Sequence, residues 1–169
     1  MPMRTLEETF DFELADVYDA EHQFRDAEAR LQRRLVRDAG LSELLYRHAE
    51  ETKTHVTNLE KAFKILGKTP QRQPCDPAWG LVNEAWYATT HSQTAELRDL
   101  MVADAASRVE SFEIQGYQAL LELARRLKLN PKAVVLMERN LKHEQRMAAG
   151  LAKGRGKLLT RAFKASRRG

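Results

Sequence analysis

The sequence predicts an all-α protein, an antiparallel four-helix bundle with one additional short helix in the crossover between the second and third long helices. Three observations carry this reading. Gly and Pro cluster at a few places: Gly40, Gly67, the stretch from Pro70 to Gly80, Asn130-Pro131, and the stretch from Gly150 to Gly156. The segments between them are rich in Leu, Ala, Glu, Arg and Lys, which are strong helix formers. Their apolar residues recur in alternating steps of three and four, the period of one helix face, and strand signals are absent.

The first helix opens near Thr5, whose hydroxyl can cap the backbone, with Glu8 completing a capping box. Its apolar stripe runs Phe10, Leu14, Val17, Phe24, Leu31 and Leu35, and Gly40 is read as its stop. The second helix takes Ser42 as its cap, carries Leu41, Leu45, Leu59 and Leu66 inward, and ends at Gly67. A loop rich in proline follows, from Lys68 to Pro77, and Trp79 to about Ser92 forms the short helix. Thr94 to Leu129 forms the third long helix, with Leu97, Met101, Ala106, Leu120, Ala124 and Leu127 inward. Pro131, pre-set for the first helical position, starts the last helix, which is expected to run to about Leu151. The bundle then covers residues 1–152, and residues 153–169 form a basic tail, either a helical extension or disordered.

At 169 residues the chain is one domain, long enough to close a core without staples. The lone Cys75 excludes an intramolecular disulfide and a Cys-rich zinc site. No run approaches the roughly 18 apolar residues of a membrane span, and acids among the first residues are unlike a secretory signal. A soluble, cytoplasmic protein without membrane partners is expected. The net charge of +4 divides unevenly. Residues 142–169 hold nine Lys/Arg and one acid, for +8, while residues 1–141 hold 19 Lys/Arg and 23 acids, for −4.

Some of those acids interrupt the apolar stripes. Between Val17 and Leu31 the first stripe reads Glu21, Phe24, Glu28. Between Leu45 and Leu59 the second reads His48, Thr52, His55, with Glu51 beside it. His48, Glu51 and His55 are separated by steps of three and four, so they project from one face. Glu110 and Glu113 lie between inward Ala106 and Tyr117, and Glu144 lies between Leu141 and Leu151. Burying an unpaired carboxylate costs several kcal/mol, so such groups are paired, protonated or bound to a cation. No Lys or Arg falls on these stretches. Carboxylates plus imidazole, with a contribution from each helix, are the ligands of di-iron or di-manganese bundles. Read singly, each Glu also fits a solvated face and His55 a hydrogen-bonded core histidine; a metal-free bundle with protonated acids is the other reading of the set. His22, His91 and His143 are read as surface residues, and Trp79, Trp86 and Tyr87 as core or interface packing.

The segments FELADVYDAEHQ (residues 12–23), HAEETKTHVTNLE (48–60), Cys75 ahead of Gly80-Leu81, and RVESFEIQGY (108–117) resemble the YciE/YciF ferritin-like family, a stress-associated branch of the ferritin and rubrerythrin group. The resemblance covers roughly residues 5 to 151. It implies a ferritin-like bundle, commonly a homodimer, with a dinuclear metal centre. It carries the ligand roles onto Glu21, Glu51, His55, Glu110 and Glu144, with Glu113 as a ligand or a neighbour of one. On this basis Glu21 and Glu110 are terminal ligands, Glu51 and Glu144 bridge, and His55 supplies an imidazole. The chain departs from the family pattern at Ala148, where an acid is expected, and at Glu28, an additional carboxylate. Iron is the expected metal, with manganese or zinc as alternatives.

A site of this kind suits a ferroxidase or a reducer of oxygen or peroxide. The competing expectation is a non-catalytic bundle that binds a partner or nucleic acid through Lys153, Arg155, Lys157, Arg161, Lys164, Arg167 and Arg168. No base-reading motif accompanies that cluster, and nucleic-acid binding is the less favoured expectation.

Overall fold

The described chain forms five helices: α1 (Leu6–Leu31), α2 (Ala39–Ile65), α3 (Asp76–His91), α4 (Ala95–Arg126) and α5 (Pro131–Ser166). The computed structural model describes residues 3–31 and 36–167, the side chains of residues 29–31 apart. The expected inward side chains of Leu31 and Leu35, and the basic Arg168, lie outside the described residues.

α1 opens as its sequence dictates. The Glu8 amide donates to Thr5 Oγ1 and the Thr5 amide donates to Glu8 Oε2, each at 3.1 Å, the reciprocal bonds of a capping box. Phe10, Leu14, Val17 and Phe24 are buried along one stripe.

The start of α2 corrects two expectations. Gly40 is no stop and Ser42 no cap: Asp38 caps the helix, its Oδ1 accepting from the Leu41 amide at 3.0 Å, and Gly40 sits in the first turn. The carboxylate is held there by distant partners. Its other oxygen meets Lys157 at 3.2 Å and Arg161 at 2.6 Å, and Asp99 of α4 accepts from the Arg37 and Asp38 amides, both at 2.8 Å. At the far end of α2, Gly67 adopts a φ of 70°, a left-handed conformation that costs glycine little.

α3 begins at Asp76 rather than Trp79, with Pro77 in its first turn. It packs outside α1 and α4, where Cys75 and Ala78 meet Ala20 and Phe24. Its Trp79, Trp86 and Tyr87 are not core: they are 66%, 52% and 64% exposed. In the first half of α4 the buried apolar residues are Leu100, Val102, Ala103 and Ala105, while Leu97, Met101 and Ala106 are half-buried. α4 is covered by α1, α3 and α5 together, so its inner surface is wider than a single stripe.

α5 does not end near Leu151. It continues to Ser166 because Leu158 and Ala162 extend its stripe against Leu41 and Leu100. As far as Ser166, the basic segment is therefore the last turns of a packed helix. Gly150 permits this approach, since a Cβ there would lie 3.0 Å from Leu44 Cδ1.

The four long helices close a ring in which α1 and α5 each touch both α2 and α4. Early residues of one helix meet late residues of its neighbour. Tyr18 pairs with Glu60 and Glu28 with His48; Glu51 pairs with Arg146 and Asn58 with Asn140; Asp104 pairs with Arg155 and Arg125 with Glu138. Neighbouring helices in these pairs therefore run antiparallel. One end of the interior is filled by Phe10, Leu14, Leu59, Leu120 and Met137, the other by Leu41, Leu100, Met147, Leu151 and Leu158. Between them lies a polar layer. Among the described residues, no helix is long and apolar enough to cross a membrane.

Candidate metal centre

The polar layer is assembled by helical spacing. Glu21 and Glu28 on α1, and His48 and His55 on α2, are each two turns apart and so share a face. Glu110 and Glu113 come from α4 and Glu144 from α5. All of these except the half-buried Glu28 are buried.

Two donor groups form, and Glu144 belongs to both. His48, Glu110, Glu113 and Glu144 offer one atom each, all within 4.8 Å of one another, and so do Glu21, His55 and Glu144. Glu144 Oε1 lies 2.7 Å from His55 Nδ1, while Oε2 lies 3.5 Å from His48 Nε2. Glu110 Oε1 and Glu28 Oε1 approach His48 Nε2 to 3.3 and 3.5 Å, and Glu21 Oε1 approaches His55 Nδ1 to 3.3 Å. Among the described residues, one buried oxygen each of Glu21, Glu28, Glu110 and Glu113 has no hydrogen-bond partner, and the oxygens of Glu144 face only the two imidazoles and the other carboxyls. Each such oxygen is expensive to leave unpaired in a dry interior.

A second ring of residues holds the donors in place. The Tyr117 hydroxyl donates to Glu21 Oε1. Asn140 Nδ2 donates to the Tyr117 oxygen at 2.8 Å and to the His55 carbonyl at 3.2 Å, and Asn58 donates to Asn140 Oδ1 at 2.8 Å. His143 Nδ1 lies 3.1 Å from His55 Nε2, fixing that ring so that Nδ1 points inward.

The electrostatics express the same crowding. Burial pushes the Glu28 carboxyl up to about 8, with Glu144 and Glu21 adding repulsion. Burial and the neighbouring carboxylates hold Glu110 and Glu113 well above the usual range, and Glu144 is raised as well, again chiefly by burial. The imidazoles divide. Burial opposes the charged form of His55, but Glu21 and Glu144 outweigh it and carry the group to about 10. Burial, with repulsion from His55 and His143, takes His48 down to about 3. Without a cation, the layer relieves its charge by retaining protons.

The residues expected from sequence divide as well. Glu21, His55, Glu110 and Glu144 meet in the layer, joined by His48, Glu113 and Glu28. Glu51 does not join them: its side chain is 32% exposed and Oε1 accepts from Arg146 at 2.8 Å, leaving Oε2 3.9 Å from His48 Nδ1. On α2 the inner line runs His48, Thr52, His55, and Glu51 is turned off it toward α5. His143, read as a surface residue, is instead the partner of His55. Asn140 is not among the residues expected from sequence, yet it carries the signal that discloses Glu144, since it is the other polar interruption in the stripe Met137, Asn140, Glu144, Met147.

The family described as "Domain of unknown function (DUF892)" matches residues 5–162. Protein YciF of Escherichia coli (strain K12) is 32% identical over 146 residues, covering 86% of this chain and 87% of its own. The chain belongs to the YciE/YciF family. The crystal structure of the E. coli stress protein YciF is similar with a TM-score of 0.87 at 29% identity, covering 94% of this chain and 99% of that one. YcfI from Rhodopseudomonas palustris is similar with a TM-score of 0.85 at 28% identity, over 88% and 94% of the two chains. The family match takes in the first four helices, α5 as far as Ala162, its last buried residue, and every residue of the polar layer.

Proposed function

We propose that this protein is a ferritin-like four-helix bundle that binds two metal ions around Glu144, iron foremost, and uses them to reduce a small oxidant. Glu144 carries the reading. Its two oxygens face different imidazoles, and each side of it has its own set of unpartnered donors. The donors fit the metal: hard carboxylates with imidazole suit iron or manganese, while zinc would occupy the layer without redox chemistry. In this reading Glu144 would help hold both ions, with Glu21 and His55 for one and His48, Glu110 and Glu113 for the other. Glu28 supplies the carboxylate that Ala148 does not.

Two ferrous ions held there would supply two electrons, which with two protons would reduce dioxygen to hydrogen peroxide, or peroxide to two waters. The chain supplies the remainder. The carboxyls of the layer give up protons as cations arrive. Tyr117 and Asn140 aim Glu21, and His143 aims His55. The apolar clusters on either side keep bulk water out. The E. coli relative is named a stress protein, and removal of iron or oxidant in the cytoplasm, by a homodimer, is the corresponding role here. The basic end of α5 is less free to bind a partner or nucleic acid, because Arg155, Lys157 and Arg161 are engaged by Asp104 and Asp38.

Metal analysis after reconstitution with Fe(II), Mn(II) or Zn(II) tests the proposal. Two ions per chain are expected, with loss of at least one in Glu144→Ala and His55→Ala. Negligible metal in the wild-type protein would overturn it. Oxygen uptake on adding Fe(II) then separates an oxidase from a static site.

A further inference from the structure

A cavity of about 70 Å³ lies against the polar layer, beneath α3. Its wall is drawn from all five helices and is almost wholly apolar, with Phe24, Leu45, Val82, Val102, Val109 and Met147 among the lining. Thr89 also lines it, but its hydroxyl is spent on the Ala85 carbonyl at 2.6 Å. Among the described residues, the remaining polar groups at the wall are the carboxyls of Glu28 and Glu110, each with a buried oxygen that has no hydrogen-bond partner there. One side of the cavity is therefore oil-like and the other is the candidate metal centre.

Size and polarity select an occupant. Apolar cavities of about 150 Å³ stay dry and take up benzene or xenon. This one is about half that volume, enough for a diatomic gas but not for an aromatic or acyl substrate. Water and hydrogen peroxide would each forfeit hydrogen bonds against such a wall, whereas dioxygen has none to lose.

We infer that this cavity holds dioxygen beside the metal centre, and that dioxygen rather than peroxide is the oxidant the protein takes up. The inference rests on the metal-centre reading. The balance is the one given above: dioxygen gains two electrons from two ferrous ions and two protons, and leaves as hydrogen peroxide. Small residues of the wall, such as Ala105, leave the space open.

The test uses xenon as a probe of the metal-free protein, by xenon NMR under pressure, alongside initial rates of Fe(II) oxidation against dioxygen or peroxide. Wild-type protein is expected to take up xenon, and Ala105→Leu to take up at least tenfold less. The same variant should raise KM for dioxygen at least fivefold while leaving the rate with peroxide and the metal stoichiometry unchanged. Val102→Ala, which enlarges the space, is expected to bind more xenon and lower KM for dioxygen, and it serves if Ala105→Leu does not fold. No xenon uptake by wild-type protein, or an unchanged KM for dioxygen in both variants, overturns the inference. Loss of the metal-centre reading itself would be seen separately, as absent metal in the stoichiometry measurement with xenon uptake intact.

Discussion

Two layers of one interior, built by the same four helices and both largely shielded from water, are in opposite conditions. In the end layer, Phe10, Leu14, Leu59, Leu120 and Met137 pack on one another, and burial is their whole contribution. In the middle layer, burial works against the residues it covers. Five carboxyls converge with two imidazoles, no Lys or Arg lies among them within the described residues, and several oxygens have no partner there. The contrast shows that the end layers hold the middle one together against its own electrostatics. An arrangement that lowers stability locally, and is maintained by good packing around it, is the pattern expected of a site that could hold a metal ion.

The contrast can be broken most strongly by supplying the missing charge. Metal at about a thousand times its dissociation constant should stabilise the fold by about 4 kcal/mol, seen as a raised Tm. Glu144→Ala should lose that gain while keeping the fold. If the metal-dependent rise in Tm survives in this variant, the middle layer is not where the ion binds.

Damage to the end layer should be independent of metal. Leu59→Ala removes a fully buried side chain and is expected to cost about 3 kcal/mol. Chemical denaturation should give the same loss in metal-free and loaded protein, since Leu59 touches the donors only through packing.

pH distinguishes the layers through linkage. Glu28 titrates near 8 in the fold against an ordinary 4.5, so the folded state binds the extra proton and stability declines as pH rises from 4.5 through 8. His55 titrates near 10 against an ordinary 6.5, so its stabilisation is complete below 6.5 and is lost as pH rises through 10. Between pH 6.5 and 8 both act in the same direction, and the Tm of metal-free protein should fall. Metal must displace these protons, so the metal-dependent gain in Tm should grow over the same range. A metal-free Tm that rises with pH across this window would contradict the protonation pattern.

The smallest expected effect separates the two demands on one residue. Glu113→Gln keeps the shape of the protonated acid and removes the cost of holding that proton in the fold at neutral pH. It should stabilise metal-free protein by about 1 kcal/mol while weakening metal binding at least tenfold. Paired thermal and metal titrations would record both changes, and a variant destabilised in the metal-free state would show that Glu113 supports the fold rather than the ion.

How much of this was legible in the sequence differs by residue. The capping box at Thr5, the left-handed close at Gly67 and the stripe through Phe10, Leu14 and Val17 are local matters, decided by residues within a turn of each other. Glu21, Glu110 and Glu144 were legible for the same reason, as acids where the helical period required an apolar side chain. Asp38 as a cap was not, because its worth depends on Lys157 and Arg161, more than a hundred positions away. The end of α5 was hidden likewise, since Leu158 has value only against Leu41 and Leu100.

The sequence by itself determined the helices and the acids they bury, because a helix advances by a constant angle per residue and its inner face can be counted from one end. Only the tertiary structure decided which donors meet. It turned His48 into the layer and Glu51 out to Arg146, set His143 behind His55, and opened an apolar cavity beside Glu28 and Glu110. Those outcomes depend on how far each helix is rotated and displaced against its neighbours, which the packing of the whole interior settles and no single stripe records.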